Sequence, residues 1–168
     1  AFVVTEEGVL VIDALGSPPL AKQFLALIRS VTALPVRYVV VTHCHADHIY
    51  GLQVFREAGA RIVGHVACRD YLSSETAALR LKASRDELFP WVDEHTRLVA
   101  PDLWLGEGGN EADLMLQMGR RSFRVRRRTV AYQRRLGGAR RQHGRAVCRR
   151  HRVSQPHSIC GPGRQSAV

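Results

Sequence analysis

Three imidazoles and a carboxylate crowd into one short stretch, His43-Cys44-His45-Ala46-Asp47-His48, shortly after the apolar run Val39-Val40-Val41. Neutral imidazole nitrogen and carboxylate oxygen are the donors that suit zinc or iron at a hydrolytic site. An ion that activates water needs an open position, so two or three protein ligands per ion suffice. The competing reading is a polar turn whose histidines cap a helix and bond locally. Ligand-type residues at this density, immediately behind a valine-rich strand, argue for metal instead. His43, His45, Asp47 and His48 are therefore the expected metal ligands.

The flanking elements explain how such a cluster is held. A strand stops alternating at its end and the chain begins to curl, so His43 and His45 can turn to one side while Asp47 and His48 open the next turn. Upstream, Phe2–Thr5 and Val9–Asp13 read as two strands of a hairpin around Glu6-Glu7-Gly8. Gly16-Ser17-Pro18-Pro19 breaks that pattern, and a helix is expected to about Thr32, with Leu20, Phe24, Leu27, Ile28 and Val31 as its core face. Arg37–Thr42 is the next strand, Gly51–Glu57 a short helix ended near Gly59, and Arg61–Gly64 a further strand. Alternating strands and helices imply an α/β layered sheet, and ligands in such sheets gather at the carboxyl ends of strands. His65 follows the last of these strands and is expected to be structural. Cys68–Ser73 and Glu75–Leu88 read as helices, with Leu79, Leu81 and Leu88 facing inward, as a lid or substrate-facing insertion. Phe89-Pro90-Trp91-Val92 either lines a pocket or packs beneath it, His95 belongs to the surface, and Leu114–Met118 with Ser122–Val125 forms a hairpin.

His43-Cys44-His45-Ala46-Asp47-His48 resembles the His-x-His-x-Asp-His signature of the metallo-β-lactamase superfamily, and the strand ending in Asp13, the helix and the strand before it resemble that family's context. The resemblance covers about the first two-thirds of the chain. It implies a partial αββα sandwich, its N-terminal half, over residues 1–125. It implies two zinc ions, with iron or manganese as variants: His43 and His45 serve the first ion, Asp47 and His48 the second. Activated water would attack a small-molecule thioester, lactam or related ester, with Asp47 orienting the nucleophile and passing a proton to the leaving group. The resemblance leaves Cys44 out of the ligand set.

The chain has 168 residues, enough for one ordinary core. No run is long and apolar enough to cross a bilayer and no signal peptide is visible, so a cytoplasmic place is favoured and a membrane partner is not expected. Ala1 leads straight into a strand, as though the start of the protein were missing. Cys44, Cys68, Cys148 and Cys160 show no short paired spacing, so no disulfide framework is indicated. The net charge of +10 is unevenly distributed. Up to Gly119 ten basic residues stand against all 15 acidic ones, a net of −5, and the remainder holds 15 arginines and no acid.

From about Arg126 periodicity is lost, and residues 126–168 are expected to form an irregular or disordered arm. A basic arm of this kind can bind nucleic-acid phosphates. A reading-frame slip in GC-rich DNA explains the composition better. Written with suitable synonymous codons and read one base later, Arg127–Leu136 becomes Val-Gly-Pro-Ser-His-Thr-Ser-Glu-Asp-Leu, which resembles the family's segment bearing the next metal-binding histidine. Cys148–Ser158 in the same phase permits Ala-Gly-Asp-Ile-Val-Phe-Arg-Asn-Arg-Ile-Pro, which resembles the strand ending in the bridging aspartate. On this reading the family's third histidine, bridging aspartate and last histidine are absent as translated, and His143, His151 and His157 are not ligands. Nucleic acid is then not the expected partner.

Overall fold

A computed structural model describes residues 1–107, 113–130 and 143–151, with only the backbone described for 128–130 and 143–151. Strands β1 (Phe2–Val4) and β2 (Val9–Ile12) pair antiparallel. Helix α1 (Pro18–Val31) then leads to β3 (Val36–Val40), α2 (Ala46–Ile49), α3 (Leu52–Glu57) and β4 (Arg61–His65). Helices α4 (Ala67–Leu72) and α5 (Glu75–Glu87) precede β5 (Leu103–Leu105), and β6 (Leu114–Met118), β7 (Arg121–Val130) and β8 (His143–His151) complete the order. The first five strands form one sheet in the order β1-β2-β3-β4-β5, parallel from β2 onward, and the last three form a second, antiparallel sheet.

Both faces of the first sheet are covered, which is why its central strands are continuously apolar. Val9, Val11, Val39 and Ile62 point to the helices, where they meet Ala21, Leu25, Ile28, Leu52 and Phe55. Leu10, Val40 and Val63 point the other way, against Leu116, Met118, Phe123 and Val125 of the second sheet. Each such side chain, fully buried, contributes about 1.5–3 kcal/mol. This is the αβ part of the expected sandwich with its second sheet begun.

Helix α1 starts where Ser17 accepts from the Leu20 N–H, with Pro18 and Pro19 in the first turn. Its buried row is Pro18, Ala21, Leu25 and Ile28, whereas Leu20, Leu27 and Val31 are exposed. The expected face was thus rotated: a leucine-rich helix offers two apolar rows, and the one bearing small Ala21 lets the helix approach α3 closely. In α5 Leu81 is buried, but Leu79 and Leu88 are exposed, as are Phe89 and Trp91 in the segment that follows, while Val92 is buried. The expected inward positions are corrected to Ala77, Leu81 and Ser84, the i, i+4, i+7 row. Strand β5 had no sequence signal beyond three residues.

The loss of periodicity expected at Arg126 does not end the sheet. Strand β7 runs on to Val130, and β8 pairs with it from Ser122↔His151 to Val130↔His143. Long arginine side chains are compatible with a strand whose other face buries Phe123 and Val125. The remainder of the expected irregular arm lies outside the described residues.

His65, at the end of β4, is 6% exposed, and its Nδ1 accepts from the Ala67 N–H at 3.1 Å. Burial, and after it the positive charge of Arg127, lowers its pKa below the usual 6.5. The folded state thus binds fewer protons here than the unfolded chain, so stability rises with pH. The contribution is complete above pH 6.5 and is lost as pH falls from there through the lowered folded-state value. Urea midpoints should therefore drop on acidification through this range in the parent and less steeply in His65→Gln.

Candidate metal centre

Parallel pairing of β2 and β3, with Ile12 opposite Val40, brings the carboxyl ends of both strands to one edge. Asp13 emerges from the first in a left-handed conformation, φ 61°, which Asp tolerates better than most residues. Its backbone N–H donates to the Val40 carbonyl at 3.0 Å. Its carboxylate accepts from the Thr42 N–H at 2.8 Å and from the Thr42 hydroxyl. The chain then stays extended to His45, φ −81° and ψ 152°, and turns into α2 at Ala46. Asp47 and His48 consequently sit in the first helical turn, as the sequence implied.

His43, Asp47 and His48 are brought together: one potential ligand atom from each lies within 4.8 Å of the others. The His43 and His48 ring centroids are 4.0 Å apart. His45 is exposed and outside this three-residue group, although its ring centroid is 4.6 Å from that of His43. Asp47 is largely exposed, and its carboxylate lies 3.1 Å from His48 Nε2.

The hydrogen bonds behind the cluster fit a metal. His48 Nδ1 lies 2.8 Å from the Asp13 carboxylate, and His43 Nδ1 lies 3.1 Å from the Thr42 hydroxyl. With the Thr42 proton donated to Asp13, Nδ1 of each imidazole faces a hydrogen-bond acceptor, an arrangement in which Nε2 can serve as the metal donor. A carboxylate that fixes a ligating imidazole in this way sets its tautomer and raises its basicity. Asp13 thus orients His48 directly and His43 through Thr42. Sequence reading missed this role; the signal was a carboxylate ending one parallel strand beside a histidine cluster ending its neighbour. Asp13→Asn keeps the shape and tolerates the left-handed turn but removes the charge. It should weaken zinc binding about 10–100-fold, measured by competition with a chromophoric chelator; an unchanged affinity would remove Asp13 from the site.

A disulfide joins Cys44, within the motif, to Cys68 in the first turn of α4. The cysteine spacing indicated no disulfide framework, and this pairing corrects that expectation. The two are 24 residues apart in sequence, and it is the parallel β3–β4 pairing that brings the ends of their strands together.

A model of the Metallo-beta-lactamase superfamily matches residues 1–114, more than half of the chain. This chain belongs to the metallo-β-lactamase superfamily. Its fold is similar to that of a metallo-beta-lactamase from Pontibacter korlensis, at 22% identity and a TM-score of 0.50, over 74% of this chain and 46% of that one. It is also similar to the stereoselective inverting sec-alkylsulfatase Pisa1 from Pseudomonas sp., at 16% identity and a TM-score of 0.55, over 75% of this chain and 24% of that one. The chain therefore spans less than half the length of these two structures. Superfamily membership accounts for the layered fold and for a metal-type cluster at the carboxyl edge of the first sheet. Among the described residues no helix is long and apolar enough to cross a membrane.

Proposed function

We propose that residues 1–125 carry the first part of a two-zinc hydrolase site, and that the polypeptide of residues 1–168 is inactive because its later ligands were lost to a shift of reading frame. The observation that supports the metal reading is the pair of imidazoles oriented from behind, His48 by Asp13 and His43 by Thr42. His43 and His45 would hold the first ion, Asp47 and His48 the second. Zinc at such a site lowers the pKa of water toward neutrality and polarises the attacked oxygen. The side chains do the rest. Asp47, exposed at the start of α2, orients the attacking water and hands a proton to the leaving group. Asp13 and Thr42 keep both imidazoles in the ligating tautomer. The substrate class is a small thioester, lactam or related ester.

With part of each ligand set absent, residues 1–168 should bind zinc weakly and release it on dialysis, and His48→Ala should abolish even that. Two zinc ions retained through purification would overturn the proposed loss. The gene gives an independent check: an open continuation in the neighbouring phase beyond Phe123 is required.

One observation favours a second reading. The β7–β8 register sets Arg124 opposite Arg149 and Arg128 opposite Arg145, so arginine positions pair across the two strands. A phosphate-binding strip would show nucleic-acid affinity falling steeply with salt. Against it, the acidic Asp113 lies within 3.6 Å of both Arg124 and Arg126.

A further inference from the structure

We propose that Cys44 and Cys68 form a redox latch on the metal-binding loop. The inference rests on the metal reading above but is tested partly without metal. Strands β3 and β4 are parallel neighbours, so the segments leaving them run side by side. Cys44 and Cys68 stand on those segments with Cα atoms 5.8 Å apart, within the range a disulfide requires.

The loop's hydrogen bonds described above run to the β2 side: Asp13 to Thr42 and His48, and the Ala14 N–H to the His48 carbonyl at 2.9 Å. The disulfide ties the same loop covalently to the β4 side. Cys44 lies between His43 and His45, so this tie fixes the backbone carrying both imidazoles. Its sulfur is committed to Cys68 and adds no ligand to the cluster. Oxidised, the loop is held between two anchors before metal arrives. Reduced, it loses the covalent anchor, and metal binding must order more of the loop.

The chemistry is thiol–disulfide exchange with a small dithiol. The dithiol cleaves the Cys44–Cys68 bond and becomes its own cyclic disulfide, and its two protons and two electrons end on the Cys44 and Cys68 thiols. Cys68 is only 6% exposed, while Cys44 is half-buried, so Cys44 offers the accessible sulfur.

The test uses the whole chain. After thiol blocking and tryptic digestion without reductant, peptides 38–56 and 62–69 should appear cross-linked, and dithiol treatment should separate them. In metal-free protein, reduction should speed amide exchange over residues 42–50 about tenfold or more. Zinc affinity, read after anaerobic removal of the dithiol, should fall about tenfold. Cys68→Ser should match the reduced form with or without dithiol, and reduced parent protein serves in its place should that variant fail to fold. Absence of the linked peptides, a predominant different cysteine pairing, or unchanged exchange on reduction overturns the latch. If neither redox form takes zinc, the metal reading fails and the exchange measurement alone decides the latch.

Discussion

Restoring the neighbouring reading phase after Phe123 should turn a weak metal binder into a hydrolase. The repaired chain regains candidates for the third histidine, the bridging aspartate and the strand that carries it. It should retain two zinc ions per chain through dialysis. Against a panel of activated thioesters, lactams and esters, it should exceed the present chain by at least about 10³-fold, since metal and oriented electrostatic groups each supply large factors. His48→Ala in the repaired chain should return activity to background, which ties any gain to this motif rather than to improved folding. A repaired protein that folds but neither holds zinc nor turns over would refute the frame-shift account.

The second large effect is expected at Gly51, the N-cap of α3, two residues after α2. Its φ of −85° suits any residue, so conformation does not demand glycine there. Space does. A Cβ would collide with the carbonyl oxygen of Ala14 and lie 2.5 Å from the Ala21 Cβ. Neither can withdraw: Ala14 belongs to the turn that carries Asp13, and Ala21 is in the buried row of α1. The Gly51 N–H also donates to the Leu15 carbonyl at 3.2 Å, closing that turn against the motif helix. Gly51→Ala should cost about 3 kcal/mol or more and loosen zinc binding together with stability. Gly59→Ala is the control. Its φ is 87° but nothing lies within 4 Å of the added Cβ, so only backbone strain of about 1 kcal/mol is expected. Equal urea midpoints for the two variants would refute the tight approach.

The sequence made some of this legible and hid the rest for physical reasons. The motif was readable because its ligand-type residues are adjacent, and β2 and β3 because strands buried on both faces are unbroken apolar runs. Helix α1 was readable in extent but not in phase, since Leu20, Leu27 and Val31 compete with Ala21, Leu25 and Ile28 for the inward row. The parts that depend on non-local pairing were missed. Asp13 is 35 residues before His48 and Cys44 is 24 before Cys68, and neither partnership has a local signature. Arginine-rich β7 was cut short because composition was read as disorder, whereas a strand needs only one of its faces apolar.

All of His43, Asp47, His48 and the groups that aim them lie between Asp13 and His48, within one strand–helix–strand unit and the turn that follows it. Such a module is assembled by near neighbours, so damage far downstream leaves its appearance untouched. Selection could erode the remainder of a gene like this while the recognisable signature persisted unchanged. A well-formed motif then reports descent, and only the distant contributors report whether the machine still runs.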